Sequence, residues 1–186
     1  MRWTRLFDDL EAQVRRLEQD ERAAEIAEQS RAARGRVELV EALAADRGRQ
    51  VSVRAHGVGR VTGTVAEVGQ DWFTVDIDVQ APQRRRSVLL PLSSVQTVSG
   101  LSGFVDQRDS VSSRHFGLRL ALRALSRDRA TVRVHLVDDT VLGTIDRVAQ
   151  DHIDVSAHPD DVPPRRGQVR TSVAVPFWSI CAVRQI

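Results

Sequence analysis

The chain states one pattern twice. Gly63-Thr64-Val65-Ala66-Glu67-Val68-Gly69-Gln70-Asp71 returns as Gly143-Thr144-Ile145-Asp146-Arg147-Val148-Ala149-Gln150-Asp151. Val88-Leu89-Leu90-Pro91-Leu92-Ser93-Ser94-Val95 returns as Val173-Ala174-Val175-Pro176-Phe177-Trp178-Ser179-Ile180. A spacing of about 80 residues is the size of a small domain and too long for a solenoid repeat. Whatever fold the first copy takes, the second must be able to take as well.

Each copy reads as a short helix followed by five strands. In the first, Arg36 to Ala45 is a helix that Asp46-Arg47-Gly48 ends. Val51 and Val53 alternate with polar residues, His56-Gly57-Val58-Gly59 makes a turn, and Val61, Val65 and Val68 lead to a second turn at Gly69-Gln70-Asp71. Trp72 to Ile77, Ser87 to Leu90 and Val95 to Val98 complete the set. In the second copy the helix runs from Phe116 to Ser126, with Leu118, Leu122 and Leu125 on one side and Arg119, Arg123 and Arg127 on the other. Strands follow at Val132 and Val134, Val141 to Val148, Ile153 to Ala157, Val169 to Val175 and Ile180 to Val183. The copies differ by one residue in the first hairpin and by five in the loop before the fourth strand, and length changes belong in loops. Gly63 and Gly143 fall inside strands, where glycine permits a sharp bend or a close backbone approach.

Residues 3 to about 34 read as a long helix before the first copy. Trp3, Phe7, Leu10, Val14 and Leu17 are spaced as a heptad seam, which then fades into alanines. A polar helix of this length needs something to lie against. It either docks its apolar end on the rest of the chain or serves as an arm for a protein partner or for self-association. The expected organisation is a helical arm at 1–35, a first unit at 36–100, a Ser- and Gly-rich linker at 101–113 and a second unit at 114–186. The expected fold class is α+β, mainly β: the long helix, then two tandem helix-plus-five-strand small barrels, each curling its sheet to bury one face.

That order of a helix and five bent strands resembles the Sm-like (Sm/LSm) and SH3-like small barrels, over residues 36–100 and 114–186. The resemblance is one of pattern. RNA-binding Sm members carry Asp and Asn around the turn between the second and third strands. Here those places hold Gly69 and Phe73, then Ala149 and Ile153. Pro91-Leu92 and Pro176-Phe177 stand where that family has its Arg-Gly or Lys-His element, so the resemblance implies the fold and not the uridine pocket. The whole chain is also similar to a family of uncharacterised actinobacterial proteins with a Met-Arg-Trp start and an acidic helix. Met1-Arg2-Trp3, Asp71-Trp72 and the stretch from Gly143 to His152 carry that similarity, which implies no activity.

Charge narrows the function classes. The isoelectric point of 9.8 looks strongly basic, yet the net charge is only +2. All 27 basic side chains are arginine and tyrosine is absent, so almost nothing titrates between histidine and arginine. Distribution is more telling. Residues 1–50 hold 10 Arg against 11 acids, whereas residues 83–135 hold 10 Arg against 3. Arg84-Arg85-Arg86 and Arg165-Arg166 with Arg170 lie in equivalent loops, and Arg119 and Arg123 extend one of them. Arginine forks suit phosphates, and phosphate contacts give sequence-independent affinity. The other readings of these loops are a solvated surface or pairing with the acidic arm. Trp72, Phe73, Phe177 and Trp178 are candidate stacking residues, of which strand alternation buries about half.

Enzymatic signatures are weak. Asp71 and Asp151 hold equivalent hairpin positions, as turn-forming carboxylates would. His152, Asp154 and His158 could hold a metal, but the first copy has Trp72, Thr74 and Asp78 there, so a polar strand face is the reading. Cys181 sits in an apolar strand as an inert thiol, and as a lone cysteine it fits a reducing cytoplasm. No Gly-x-Ser-x-Gly or phosphate-loop context occurs, the apolar runs are too short to span a bilayer, and the acidic start does not read as a secretory signal. The expectation is a cytoplasmic, non-enzymatic protein without cofactor or metal. Its arginines at 84, 85, 86, 119, 123, 165, 166 and 170 would contact RNA or DNA. The alternative is an interaction adaptor or scaffold working through Trp3, Phe7, Leu10, Val14 and Leu17.

Overall fold

The computed structural model describes Arg22 and residues 38–77, 86–103, 116–157 and 171–186. Residues 39–186 make one compact unit. In each copy the valine alternation produces strands with one buried face. The first copy comprises α1 (Leu39–Ala45), β1 (Gln50–Ala55), β2 (Gly59–Val68), β3 (Trp72–Ile77), β4 (Arg86–Pro91) and β5 (Val95–Ser99). The second comprises α2 (Leu118–Arg127), β6 (Thr131–His135), β7 (Thr140–Val148), β8 (His152–Ala157), β9 (Thr171–Pro176) and β10 (Ala182–Gln185). A single 3-10 turn separates the last two strands of each copy, at Leu92–Ser94 and Phe177–Ser179.

The repetition extends to atoms. Gly63 and Gly143 each lie where a Cβ would collide with the carbonyl of the neighbouring strand, at Asp76 and Ser156. Each long strand shifts register just after its glycine, between Val65 and Val68 and between Ile145 and Arg147. Ser94 Oγ donates to the Pro91 carbonyl and Ser179 Oγ to the Pro176 carbonyl, both at 2.8 Å. The glycines thus serve close backbone approach at the point where the sheet bends.

The barrels, however, do not form. All ten strands join one antiparallel sheet in the order β5-β1-β2-β3-β4-β10-β6-β7-β8-β9. Closing the first copy would require β4 to meet β5, but β10 occupies that edge, with Val183 opposite Leu89 and Arg184 opposite Val88. Closing the second would require β9 to meet β10, whose two edges are already taken by β4 and β6. The expectation of two closed Sm-like or SH3-like barrels is therefore corrected to two halves of one open sheet. The long N-terminal helix is not part of the described structure either. Apart from Arg22, residues 1–35 lie outside the described residues, and the two described helices span 7 and 10 residues.

Two cores follow from this joint. Leu43, Val51, Val53, Val65, Phe73, Val88 and Leu90 form the first, and Ala182 of the second copy is buried among them. Leu118, Leu122, Val132, Val134, Ile145, Ile153 and Val183 form the second, and Trp72 and Leu89 of the first copy are buried among those. Neighbouring residues of a strand point to opposite faces. Val88 and Leu90 therefore serve one core and Leu89 the other, so the cores lie on opposite faces of the sheet at β4.

The first copy also caps the second. Gly117, at the N-cap of α2, has no side chain to satisfy the first helical amides. The Asp71 carboxylate fills the gap, accepting the Leu118 amide at 2.6 Å. Trp72 Nε1–H donates to the Phe116 carbonyl at 2.8 Å, and the Gln70 amide donates to the same carbonyl at 3.1 Å. The turn carboxylate expected at Asp71 is in fact an anionic cap for a helix 47 residues away. Asp151, in the equivalent hairpin, is exposed, and its carboxylate accepts from the adjacent His152 and caps no helix among the described residues. Replacing Asp71 by Ala is expected to cost about 1–2 kcal/mol, and Asp151→Ala less than about 0.5 kcal/mol. Urea unfolding of the two variants measures both, and equal losses would contradict the assignment.

Candidate nucleic-acid interface

Helix α2 packs through Leu118 and Leu122, which are buried, and through Ala121 and Leu125, which are half-buried against the second core. That stripe turns Arg119, Arg123 and Arg127 outward, and all three are exposed. They stand at i, i+4 and i+8, so successive Cβ atoms lie about 5–6 Å apart. The helix contains no acid, and among the described residues none of the three arginines forms an ion pair. Helical periodicity alone dictates this cationic ridge.

Of the other sequence-predicted arginines, Arg86 is exposed at the start of β4. Arg84, Arg85, Arg165, Arg166 and Arg170 lie outside the described residues, as do Trp3, Phe7, Leu10, Val14 and Leu17. The structure therefore brings Arg119 and Arg123 together and sets Arg86 on a different element. Among the candidate stacking residues, Trp72 and Phe73 are buried in the two cores and Phe177 is half-buried. Trp178 is 83% exposed and presents its ring to solvent.

Strand pairing adds cationic groups that the sequence pattern did not single out. Arg54 lies opposite Arg60 across β1 and β2, both exposed. Arg133 lies opposite Arg184 across β6 and β10, with His135 two residues along β6. Like charges directly opposite one another disfavour pairing, and no acid among the described residues forms an ion pair with any of these arginines. His135 Nε2 and Arg184 Nε are buried and have no hydrogen-bond partner among the described residues. Burial, reinforced by Arg184 and Arg133, pulls the His135 imidazole below its ordinary value. Burial and then Arg133 lower Arg184. Strand register sets both pairs: Arg54 and Arg60 face each other across one hairpin, whereas Arg133 and Arg184 come together from distant parts of the chain.

The remaining chemical candidates lie in the β7–β8 hairpin and the segment before β10. The His152 imidazole Nδ1–H donates to Asp151 at 2.7 Å, and this bond holds the Asp151 carboxyl below its usual range. Asp154 accepts from Arg147 Nε at 2.6 Å and lies 3.7 Å from His152 Nε2. His158 is outside the described residues, and among those described no three His, Cys, Asp or Glu side chains come together as metal ligands. Cys181 is buried, and burial, then Asp138, pushes its thiol up.

The chain matches no protein-family model and no curated protein. Among the described residues no helix is long and apolar enough to cross a membrane. The described surface offers two features to a ligand: the α2 arginines, which form no ion pair among the described residues, and the exposed Trp178 indole.

The His135 shift fixes a pH response. Its folded-state pKa lies below the ordinary 6.5, so acid favours the unfolded chain, which takes the proton more readily. The contribution is fully present above that value and is lost as pH falls through it towards the folded pKa. Urea unfolding at about pH 7.5 and about pH 5.5 is expected to show a smaller acid loss for His135→Gln than for the parent. An equal loss would contradict the assignment.

Proposed function

We propose that this chain is a non-enzymatic nucleic-acid-binding protein that grips the phosphate backbone of single-stranded RNA or DNA. The observation that carries the reading is the α2 ridge of Arg119, Arg123 and Arg127, exposed and without acidic partners among the described residues. Arginine forks pair with phosphate oxygens in two parallel hydrogen bonds. A ridge on one rigid helix holds them at fixed intervals, at little conformational cost. The exposed Trp178 ring supports the same reading, since bases of any identity stack on an indole face. Arg86 and the cross-strand pair of Arg54 and Arg60 add positive charge in the first copy. The lone Cys181 suits a reducing cytoplasm as the setting.

Fluorescence anisotropy with a labelled single-stranded oligonucleotide, titrated at several salt concentrations, tests the proposal. Each phosphate contact on a single strand contributes about −0.7 to the slope of log affinity against log salt. Replacing Arg119, Arg123 and Arg127 together by Gln is expected to weaken binding at least tenfold and to flatten the slope by about 2. Trp178→Ala is expected to weaken binding without changing the slope. No binding at low salt, or an unchanged slope in the triple variant, would overturn the proposal.

A further inference from the structure

We propose that copies of this chain associate head to tail, the β9 edge of one pairing with the β5 edge of the next as β4 pairs with β10 inside the chain. The two halves have the same strand order, β5-β1-β2-β3-β4 and β10-β6-β7-β8-β9. Joining them uses the fourth strand of the first half and the last strand of the second. Their counterparts, β9 and β5, are left at the two ends of the sheet, each with one strand partner among the described residues.

The free edges match the joint residue by residue. Inside the chain Val183 faces Leu89 and Arg184 faces Val88. The repeat equates Leu89 with Ala174, Val88 with Val173, Val183 with Val98 and Arg184 with Ser99. A second joint would therefore set Val98 against Ala174 and Ser99 against Val173, all small or β-branched and uncharged. Burial tells the same story. Leu89 and Ala182 are 6% and 0% exposed within the joint, whereas their counterparts Ala174 and Thr97 are exposed.

Among the described residues neither edge is defended. Proteins commonly blunt a sheet edge with charged residues, especially lysine, and with proline. The edge β5 reads Val-Gln-Thr-Val-Ser and β9 reads Thr-Ser-Val-Ala-Val-Pro, with no charge in either and proline only at the last place. The capping hairpin repeats as well: Asp151 stands where Asp71 does but reaches no helix of this chain among the described residues. Because the two edges differ, the contact is heterologous and propagates from copy to copy. This association rests on the strands and is independent of nucleic-acid binding.

The test uses the full chain, treated with nuclease so that nucleic acid cannot bridge copies, and reads mass by light scattering and sedimentation. The parent is expected to rise with concentration from the 20.7 kDa chain mass to multiples of it. Thr97→Lys and Ala174→Lys place a charge where the joint would bury it, at positions exposed in the single chain. Each variant alone is expected to stay monomeric with the parent's circular dichroism and melting temperature. Mixed, they still hold one intact edge of each kind and are expected to form a one-to-one dimer and nothing larger. A parent that stays monomeric at every concentration would overturn the proposal. So would a single variant that still associates, or a mixture that does not.

Discussion

The pairing of β4 with β10 is the contact on which the rest of this fold depends. It makes one sheet of two halves that would otherwise each end in an open edge. Because alternate residues of β4 point to opposite faces, the same strand closes both cores, Val88 and Leu90 on one side and Leu89 on the other. Asp71 and Trp72 reinforce the joint by fixing the start of α2 from the neighbouring half. The burial of Ala182 in the first core and of Trp72 in the second means that neither half keeps its core intact alone. Burying a large apolar side chain contributes about 1.5–3 kcal/mol, so the exchanged residues are a sizeable part of the stability of a marginally stable domain.

Much of this was legible in the residues. The repeat located both sets of five strands, and the glycines at 63 and 143 proved to sit at close backbone approaches, as their places within strands implied. Alternation, though, reports which face of a strand is buried and says nothing of which strand lies beside it. That is why closed barrels were the natural expectation. One local signal did distinguish the two versions of the fourth strand. Val88-Leu89-Leu90 is a continuous run of large apolar residues, as a strand buried on both faces requires. Val173-Ala174-Val175 is broken by a small residue, and Ala174 is exposed. Asp71 and Asp151 make the complementary point. They occupy the same place in the same hairpin, and only the presence of α2 beside the first gives it a helix to cap.

The candidate interface divides in the same way. Arg119, Arg123 and Arg127 follow from helical period, since an apolar stripe at Leu118 and Leu122 leaves the opposite face to them. The facing pair Arg133 with Arg184 depends on a long-range register, which no short stretch of sequence encodes, while Arg54 and Arg60 face each other across one hairpin. None of these arginines forms an ion pair with an acid among the described residues. In the proposed reading, exposed arginines without acidic partners, more than the high isoelectric point, would draw an anionic polymer.

The shared joint of β4 and β10 makes residues 39–186 one cooperative unit and not two tethered domains. Native-state hydrogen exchange under rising denaturant tests it most directly. The slowest amides of β2 in the first half and of β7 in the second are expected to merge into one global unfolding isotherm with a common free energy. Two separate isotherms, one for each half, would contradict it.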